Sequence, residues 1–350
     1  MSIFAALRTL GHEQLLFCRD PAAGYEGIIA VHSTVLGPAV GGTRFRPYAS
    51  EEDAVRDALR LARGMTYKCA AAGLPLGGGK SVIIGDPSAP GREARLRAHA
   101  RFVDRLGGRY LTAEDVGTTP ADMLIMREET PHVAGLPGRS GNPSPVTALG
   151  VFRAMQAAAR WRWGSDDLSG RTVALQGCGS VGASLARRLH EAGAALVVSD
   201  VVEERAAALA AELGGRAVAP AEIHRQAADI FAPCALGAVL NDATIPELRV
   251  EIVAGAANNQ LLEPRDGDLL EERGILYVPD YIANAGGVIN GSREVLGWSE
   301  EAAAARVREL YDATLRVFEL ARAQRVPPHI AADRMAEERL AAGGGEIGQR

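Results

Sequence analysis

Lysine is nearly absent from this chain. Of its 38 Lys and Arg residues only Lys68 and Lys80 are lysines, and both lie in the 16-residue stretch MTYKCAAAGLPLGGGK, residues 65–80. Arginine stays charged at any pH a cell reaches, and its fork suits paired oxygens. A lysine ammonium is a compact point charge whose pKa burial can lower toward neutrality. A site that must release a proton, or fit one cation beside a small reacting centre, distinguishes the two. The stretch is otherwise uncharged and rich in glycine, so at least one of its lysines is expected to serve chemistry. The alternative is a pair of surface lysines left in an Arg-biased chain.

A second motif is TVALQGCGSVGASLARRL, in which Gly177, Gly179 and Gly182 keep the spacing G-x-G-x-x-G, with Ser180 and Val181 between them. The glycines follow an apolar strand pattern and open a helical one. A second strand pattern ends at Asp200, 18 residues after the last glycine, near the ~20 expected of a dinucleotide fold. Such glycines allow a tight turn and close approach of a pyrophosphate to a helix N-terminus. Asp200 would accept hydrogen bonds from ribose hydroxyls and repel a 2′-phosphate, which favours NAD over NADP. A glycine-rich turn without a ligand is the bland alternative.

Other polar groups sit at strand ends. TAEDVGTTPADM closes a strand with Glu114 and Asp115, where α/β proteins place reactive groups; a helix cap or a solvated acid would look the same. GAANNQ carries Asn258 and Asn259, and DYIANAGGVIN carries Asn284 and Asn290. Their amides suit a nicotinamide carboxamide or a substrate carboxylate, and equally a structural turn. LPLGGGKS matches the end of a P-loop, but position 74 is leucine where the leading glycine belongs, so nucleotide hydrolysis is set aside.

These groups must be held by two α/β domains. The 350 residues suffice for two cores, and 47% apolar with 23% charged residues is ordinary globular composition. A net charge of −5 without a basic stripe argues against nucleic acid. No apolar run reaches membrane-span length, and MSIFAALRTLGHEQLLFCRD is read as neither a signal nor a transit peptide. The four cysteines, 18, 69, 178 and 234, lack metal-ligand spacing, so no metal site is expected; they suggest reduced thiols and a cytoplasmic protein. EGIIAVHSTV, KSVIIGD and RYLTAED read as strands; SEEDAVRDALRLARGM and GREARLRAHARFVDRLGG read as helices. In this reading a glycine loop precedes Lys80. Residues 135–147, dense in Gly, Pro and Ser, form the linker candidate. Beyond it, short apolar strands alternate with helices, as in a doubly wound parallel sheet. One long helix is expected from Ser299 to Val326, and a last one packing back on the first domain. The expected domains are 1–135, with 327–350 returning to it, and 136–326.

LGPAVGGTRFRPYASEEDAVRDALRLARGMTYKCAAAGLPLGGGKSVIIGDP, GRYLTAEDVGTT, DIFAPCALGAVLN, GAANNQL and PDYIANAGGVIN together resemble the amino-acid dehydrogenases acting on leucine, valine and phenylalanine. The resemblance runs through nearly the whole chain. It implies a substrate and oligomerisation domain followed by a Rossmann-type NAD domain, a homo-oligomer, and reversible oxidative deamination of an L-amino acid to a 2-oxo acid and ammonium. It implies that Lys68 pairs with the substrate carboxylate, that Lys80 is the catalytic lysine, and that Asp115 exchanges protons with the amino group. A lysine in a dry cleft beside another lysine is then expected to have a lowered pKa. Gly41 and Gly42 follow Val40, which stands where glutamate enzymes carry a lysine for the second carboxylate, so an apolar side chain is expected, with Ala113 also on the pocket wall. Asn258 and Asn259 are expected near substrate, and Asn258 and Asn284 near the cofactor. Gly291 replaces a valine that lines the leucine pocket, leaving the preferred amino acid open. The rival readings are an NAD-dependent dehydrogenase of amines or 2-hydroxy acids, which would want a His and Arg pair, and an NAD-sensing protein without turnover.

Overall fold

The computed structural model describes residues 2–137, 139 and 142–347, without the side chains of 344–347. Within the linker candidate, Gly138, Ser140 and Gly141 therefore lie outside the described residues, as do Met1 and 348–350 at the ends. The architecture is α/β in two units, one of Met1–Gly141, Gly291–Trp298 and Ala336–Arg350, the other of Asn142–Asn290 and Ser299–Met335.

The first unit opens with helix α1, Ile3–Leu10, stopped by Gly11 in the left-handed region at φ +78°. Strands β1, Gln14–Asp20, and β2, Tyr25–Ser33, form a hairpin; β3, Ala39–Arg46, β4, Gly77–Ile84, and β5, Tyr110–Glu114, complete a sheet in the order β1-β2-β4-β3-β5. The hairpin joins β4 antiparallel, and β4, β3 and β5 run parallel. Helix α2, Glu51–Ala71, covers one face and α3, Arg92–Asp104, the other. The Ser50 hydroxyl caps α2 by accepting the Asp53 N–H at 3.1 Å, and Glu51, Glu52 and Asp53 oppose the positive end of the helix dipole. Helix α2 continues past Met65 through KCAA, so Lys68 lies in its last turn.

The glycines before Lys80 are strand, not loop. A Cβ on Gly77 would sit 1.9 Å from the Ser33 carbonyl oxygen, and one on Gly78 only 2.0 Å from Thr66 N on α2. The run lets α2 and the neighbouring strands press directly on the β4 backbone; a turn is not what the glycines provide here.

Beneath the sheet, on the α3 face, lies a buried polar cluster. The Tyr25 hydroxyl bonds His99 Nδ1 at 2.7 Å, and His99 Nε2 lies 3.1 Å from Thr43 Oγ1 and 3.0 Å from Ser81 Oγ. Tyr110 donates to the Gly41 carbonyl at 2.7 Å. The apolar core of Phe45, Ile83, Leu96 and Val103 surrounds it.

The first unit's main segment also carries helix α4, Pro120–Arg127. The second unit begins with helix α5, Ser144–Trp163, which starts inside the linker candidate because Pro145 fits the first helical turn. Strands β6, Thr172–Gln176, β7, Ala195–Ser199, β8, Arg216–Ala217, β9, Ile230–Pro233, β10, Ile252–Val253, and β11, Leu276–Tyr277, are all parallel, in the order β11-β10-β9-β6-β7-β8. The chain winds outward from β6 to β8, returns beside β6 at β9, and winds out the other way. That is the dinucleotide-fold order, with its switch point between β6 and β9. Helices α6, Ser180–Glu191, and α7, Glu203–Leu213, follow β6 and β7. The single long helix expected from Ser299 is two, Glu300–Arg308 and Leu310–Gln324, interrupted at Glu309. Cys18, Cys69 and Cys178 are buried, Cys234 partly so, and all are free thiols. Among the described residues, no helix is long and apolar enough to cross a membrane, and no group of three or more His, Cys, Asp or Glu could hold a metal ion.

Candidate active site

Strand alternation sorts the candidates. Ala39 and Phe45 of β3 enter the core on the α3 side, while Val40, Gly42 and Arg44 face α2. Lys80 and Val82 of β4 share that face, and so do Ala113 and Asp115 at the end of β5. Lys80 Nζ donates to Asp115 Oδ2. The other oxygen, Oδ1, accepts from Arg44 Nε at 3.0 Å and from the Val116 N–H at 2.6 Å. Arg44 also donates to Asp57 on α2, at 3.2 and 2.9 Å to its two oxygens, and the Tyr48 hydroxyl donates to Asp57 Oδ2 at 2.8 Å. Gly42 is what makes room: a Cβ there would lie 2.8 Å from the Asp115 Cβ and 2.4 Å from the Glu114 oxygen.

Lys80 is only 4% exposed. Burial lowers its pKa; Asp115 opposes this by favouring the charged form, and Arg44 adds to the lowering. The direction is the expected one, but its causes are burial and an arginine, where a second lysine was anticipated. Burial alone would raise Asp115, yet Lys80 and Arg44 hold it below the usual carboxylate range. Glu114 goes the other way, raised by partial burial and then by the Asp115 charge. Lys68 is half-buried. It and Lys80 each lie two residues beyond the close approach of Thr66 to Gly78. Val40 is buried, while Ala113 and Gly291 are partly so, and a Cβ on Gly291 would meet nothing within 4 Å.

In the second unit, Gly177 adopts φ +97° and Gly182 packs so tightly that a Cβ would fall 1.9 Å from the Gly177 oxygen. In front of Gly179 there is nothing within 4 Å. Helix α6 begins here with no side chain capping it, so its first N–H groups are available to an anion. Ser180 is exposed and Val181 partly so. Asp200 is buried; its Oδ2 accepts the Cys178 N–H at 2.7 Å and its Oδ1 the Val202 N–H at 2.9 Å. Those bonds tie it to the glycine turn and leave lone pairs for further donors. Asn284 donates through Nδ2 to Asn258 Oδ1 at 2.9 Å and to the Ala256 oxygen at 3.1 Å, while its own Oδ1 is buried without a partner. Asn258 and Asn259 are exposed, Asn259 with φ +52°. An open glycine turn, an uncapped helix end, a fixed carboxylate and a buried amide oxygen in want of a donor fit a dinucleotide with a carboxamide.

Two family models match the chain: "Glu/Leu/Phe/Val dehydrogenase, dimerisation domain" over residues 12–132, and "Glutamate/Leucine/Phenylalanine/Valine dehydrogenase" over residues 202–344. A leucine dehydrogenase of Geobacillus stearothermophilus is 54% identical over 97% of this chain and 94% of its own. The chain belongs to the Glu/Leu/Phe/Val dehydrogenase family. It is therefore an oxidoreductase, an NAD-dependent dehydrogenase of amino acids of the apolar kind. An L-tryptophan dehydrogenase of Nostoc punctiforme is 49% identical over 97% of this chain and 96% of its own. The crystal structure of L-tryptophan dehydrogenase from that organism superposes with a TM-score of 0.88 at 48% identity, covering 97% of this chain and 99% of that one.

The dehydrogenase thus brings Lys80, Asp115 and Gly42 together on one sheet face, and Gly177, Gly182 and Asp200 together around one turn. Three contributors were not anticipated: Arg44, Asp57 and Tyr48. The available signal was period-two alternation, which puts Arg44 on the same face as Val40 and Gly42.

Proposed function

We propose that this dehydrogenase converts an apolar L-amino acid, NAD and water reversibly into the 2-oxo acid, ammonium and NADH, with Lys80 and Asp115 moving the protons. The observation that carries the reading is a lysine 4% exposed, lowered in pKa by burial, and bonded to a carboxylate at a strand end. Lys68, on the last turn of α2, pairs with the substrate carboxylate. The nicotinamide, when bound, supplies the hydride acceptor. Lys80 as a free amine takes a proton from water as the water oxygen bonds to the substrate imine carbon; the bond formed is C–O and the bond broken O–H. Asp115 Oδ2, a carboxylate at rest, takes its proton from the substrate ammonium before the substrate is oxidised, and returns it to the nitrogen once the C=N π pair has moved there; the C–N bond then breaks as C=O forms, and the ammonia leaves with the hydroxyl proton as ammonium. Proton transfer by positioned groups of this kind contributes ~10²–10⁴-fold.

Val40, Gly41, Gly42, Ala113 and Gly291 are assigned to the side-chain pocket, with Asn258 and Asn259 near the substrate. None of the wall residues supplies a cation, so a second carboxylate is disfavoured. Gly177, Gly179, Ser180, Val181 and Gly182 hold the pyrophosphate, Asp200 the adenosine ribose, and Asn258 with Asn284 the carboxamide. Residues 1–135, joined by 327–350, form the substrate and oligomerisation domain, and 136–326 the NAD domain; the dimerisation-domain description of the matched segment supports a homo-oligomer. Four free thiols support a cytoplasmic setting.

The test is Lys80→Arg, which keeps a positive charge for Asp115 but cannot give up its proton near neutrality. The expected result is a kcat at least about 10²-fold lower, with NADH binding by fluorescence titration nearly unchanged. A variant keeping most of its kcat ends the assignment.

A further inference from the structure

We propose that Arg44 is a positioning residue for this reaction: anchored by Asp57, it grips Oδ1 of Asp115 and leaves Oδ2 as the one carboxylate oxygen for Lys80 and the substrate nitrogen. The inference rests on the assignment of Lys80 and Asp115 to proton transfer.

The geometry is closed on every side but one. Asp115 Oδ1 takes the Arg44 Nε–H at 3.0 Å and the Val116 N–H at 2.6 Å. The Asp115 N–H donates to Thr118 Oγ1 at 2.9 Å, and that hydroxyl donates to the Thr43 carbonyl, also at 2.9 Å. Arg44, with 18% of its side chain exposed, is itself fixed by two bonds to Asp57, and Asp57 by the Tyr48 hydroxyl. A planar guanidinium held at its far end cannot turn its Nε away from Asp115 without breaking the Asp57 bonds.

The arrangement answers a chemical difficulty. A buried carboxylate facing a lysine alone favours the charged ammonium, and a lysine held charged cannot take a proton from water. Arg44 offsets that charge and shares the carboxylate. Asp57, two bonds further off, offsets Arg44 in turn. The two therefore act on Lys80 in opposite senses: Arg44 lowers its pKa, while Asp57 raises it. The charged and titratable groups shown to act at this point are Glu114 at the end of β5 and Asp115 just after it, Arg44 from β3 with Tyr48 just beyond it, Asp57 from α2, and Tyr110.

A merely structural clamp between β3, β5 and α2 would not produce opposite signs. The experiment uses the full-length enzyme, labelled biosynthetically with ¹³Cε-lysine, in which only two lysine signals exist to be assigned by Lys68→Ala. Arg44→Gln should move the Lys80 titration to higher pH and Asp57→Asn should move it to lower pH. In deamination, Arg44→Gln should lower kcat at neutral pH by about tenfold, the factor of one displaced pH unit, with the loss diminishing as pH rises and KM for the amino acid changing less than twofold. Arg44→Lys restores the charge without the fork and adds a third lysine signal, assigned by comparison with the wild-type pair, so the Lys80 signal should recover its titration but the enzyme only part of kcat. Shifts of the same sign in Arg44→Gln and Asp57→Asn, no shift, or a loss equal at every pH would overturn the proposal. If Arg44→Gln does not fold, Arg44→Lys and Asp57→Asn still decide it. Retention of kcat by Lys80→Arg would remove the underlying assignment instead; an inactive Lys80→Arg beside a wild-type Arg44→Gln would remove this inference alone.

Discussion

Gly291→Val tests the pocket at a position proposed for its wall. Gly291 lies inside the helix Gly286–Leu296 with ordinary helical backbone, and a Cβ there meets nothing within 4 Å. The valine should therefore enter without displacing backbone. Glycine costs ~1 kcal/mol against alanine inside a helix and valine somewhat over half that, so the variant should be as stable as the wild type or slightly more so. That removes misfolding as an explanation for any change in activity. Three added carbons occupy space in the proposed side-chain pocket. One methylene shifts discrimination by roughly 1–3 kcal/mol, and ~1.4 kcal/mol is tenfold, so the kcat/KM ratio of phenylalanine to valine should fall by about ten- to a hundredfold. The assay is initial NADH formation with each amino acid, alongside a thermal melt. Wild type should accept leucine, valine and phenylalanine and use glutamate and aspartate poorly. A ratio that stays put, or rises, in a variant with an unchanged melt would show that Gly291 does not line the pocket.

Lys68→Ala should raise KM for the amino acid by roughly 10- to 150-fold, the worth of a charge-assisted bond of ~1.5–3 kcal/mol, with a smaller effect on kcat; an unchanged KM refutes the carboxylate pairing. NAD should exceed NADP in kcat/KM because Asp200 repels a 2′-phosphate, and Asp200→Asn should narrow the gap; equal use of both by wild type would place that carboxylate away from the ribose. His99, fully buried and pushed by burial down to about 3 from an ordinary 6.5, must stay neutral when folded. Its folded pKa lies below its unfolded one, so stability falls as pH drops through 6.5 toward about 3, by up to ~1.4 kcal/mol per pH unit. Urea unfolding of wild type and His99→Gln at pH 7 and pH 5 should show the variant losing less on acidification, and parallel losses would contradict the reasoning.

What could be read from the sequence follows from where the cause of each residue lies. The dinucleotide unit was legible because its cause is local: Gly177 and Gly182 shape one turn, and the strand before it and the helix after it announce themselves by period. Strand β3 was not, because GGTRFRPY has two glycines and two arginines where alternation would show. Its logic is across the sheet, with Gly42 admitting Asp115 and Arg44 reaching both Asp115 and Asp57. The glycines before Lys80 misled for the same reason. A residue without a side chain looks like a turn along the chain, whereas the need here comes from Thr66 on α2 and from Ser33 on β2. The two lysines were conspicuous by rarity, which requires no knowledge of neighbours. Arg44 is one arginine among 36, and period-two alternation gives its face without telling it from a surface arginine. Only pairing in space does so. A lysine's chemistry is set by the charges it faces, so the residue that could be picked out and the residue that tunes it had to be found by different means.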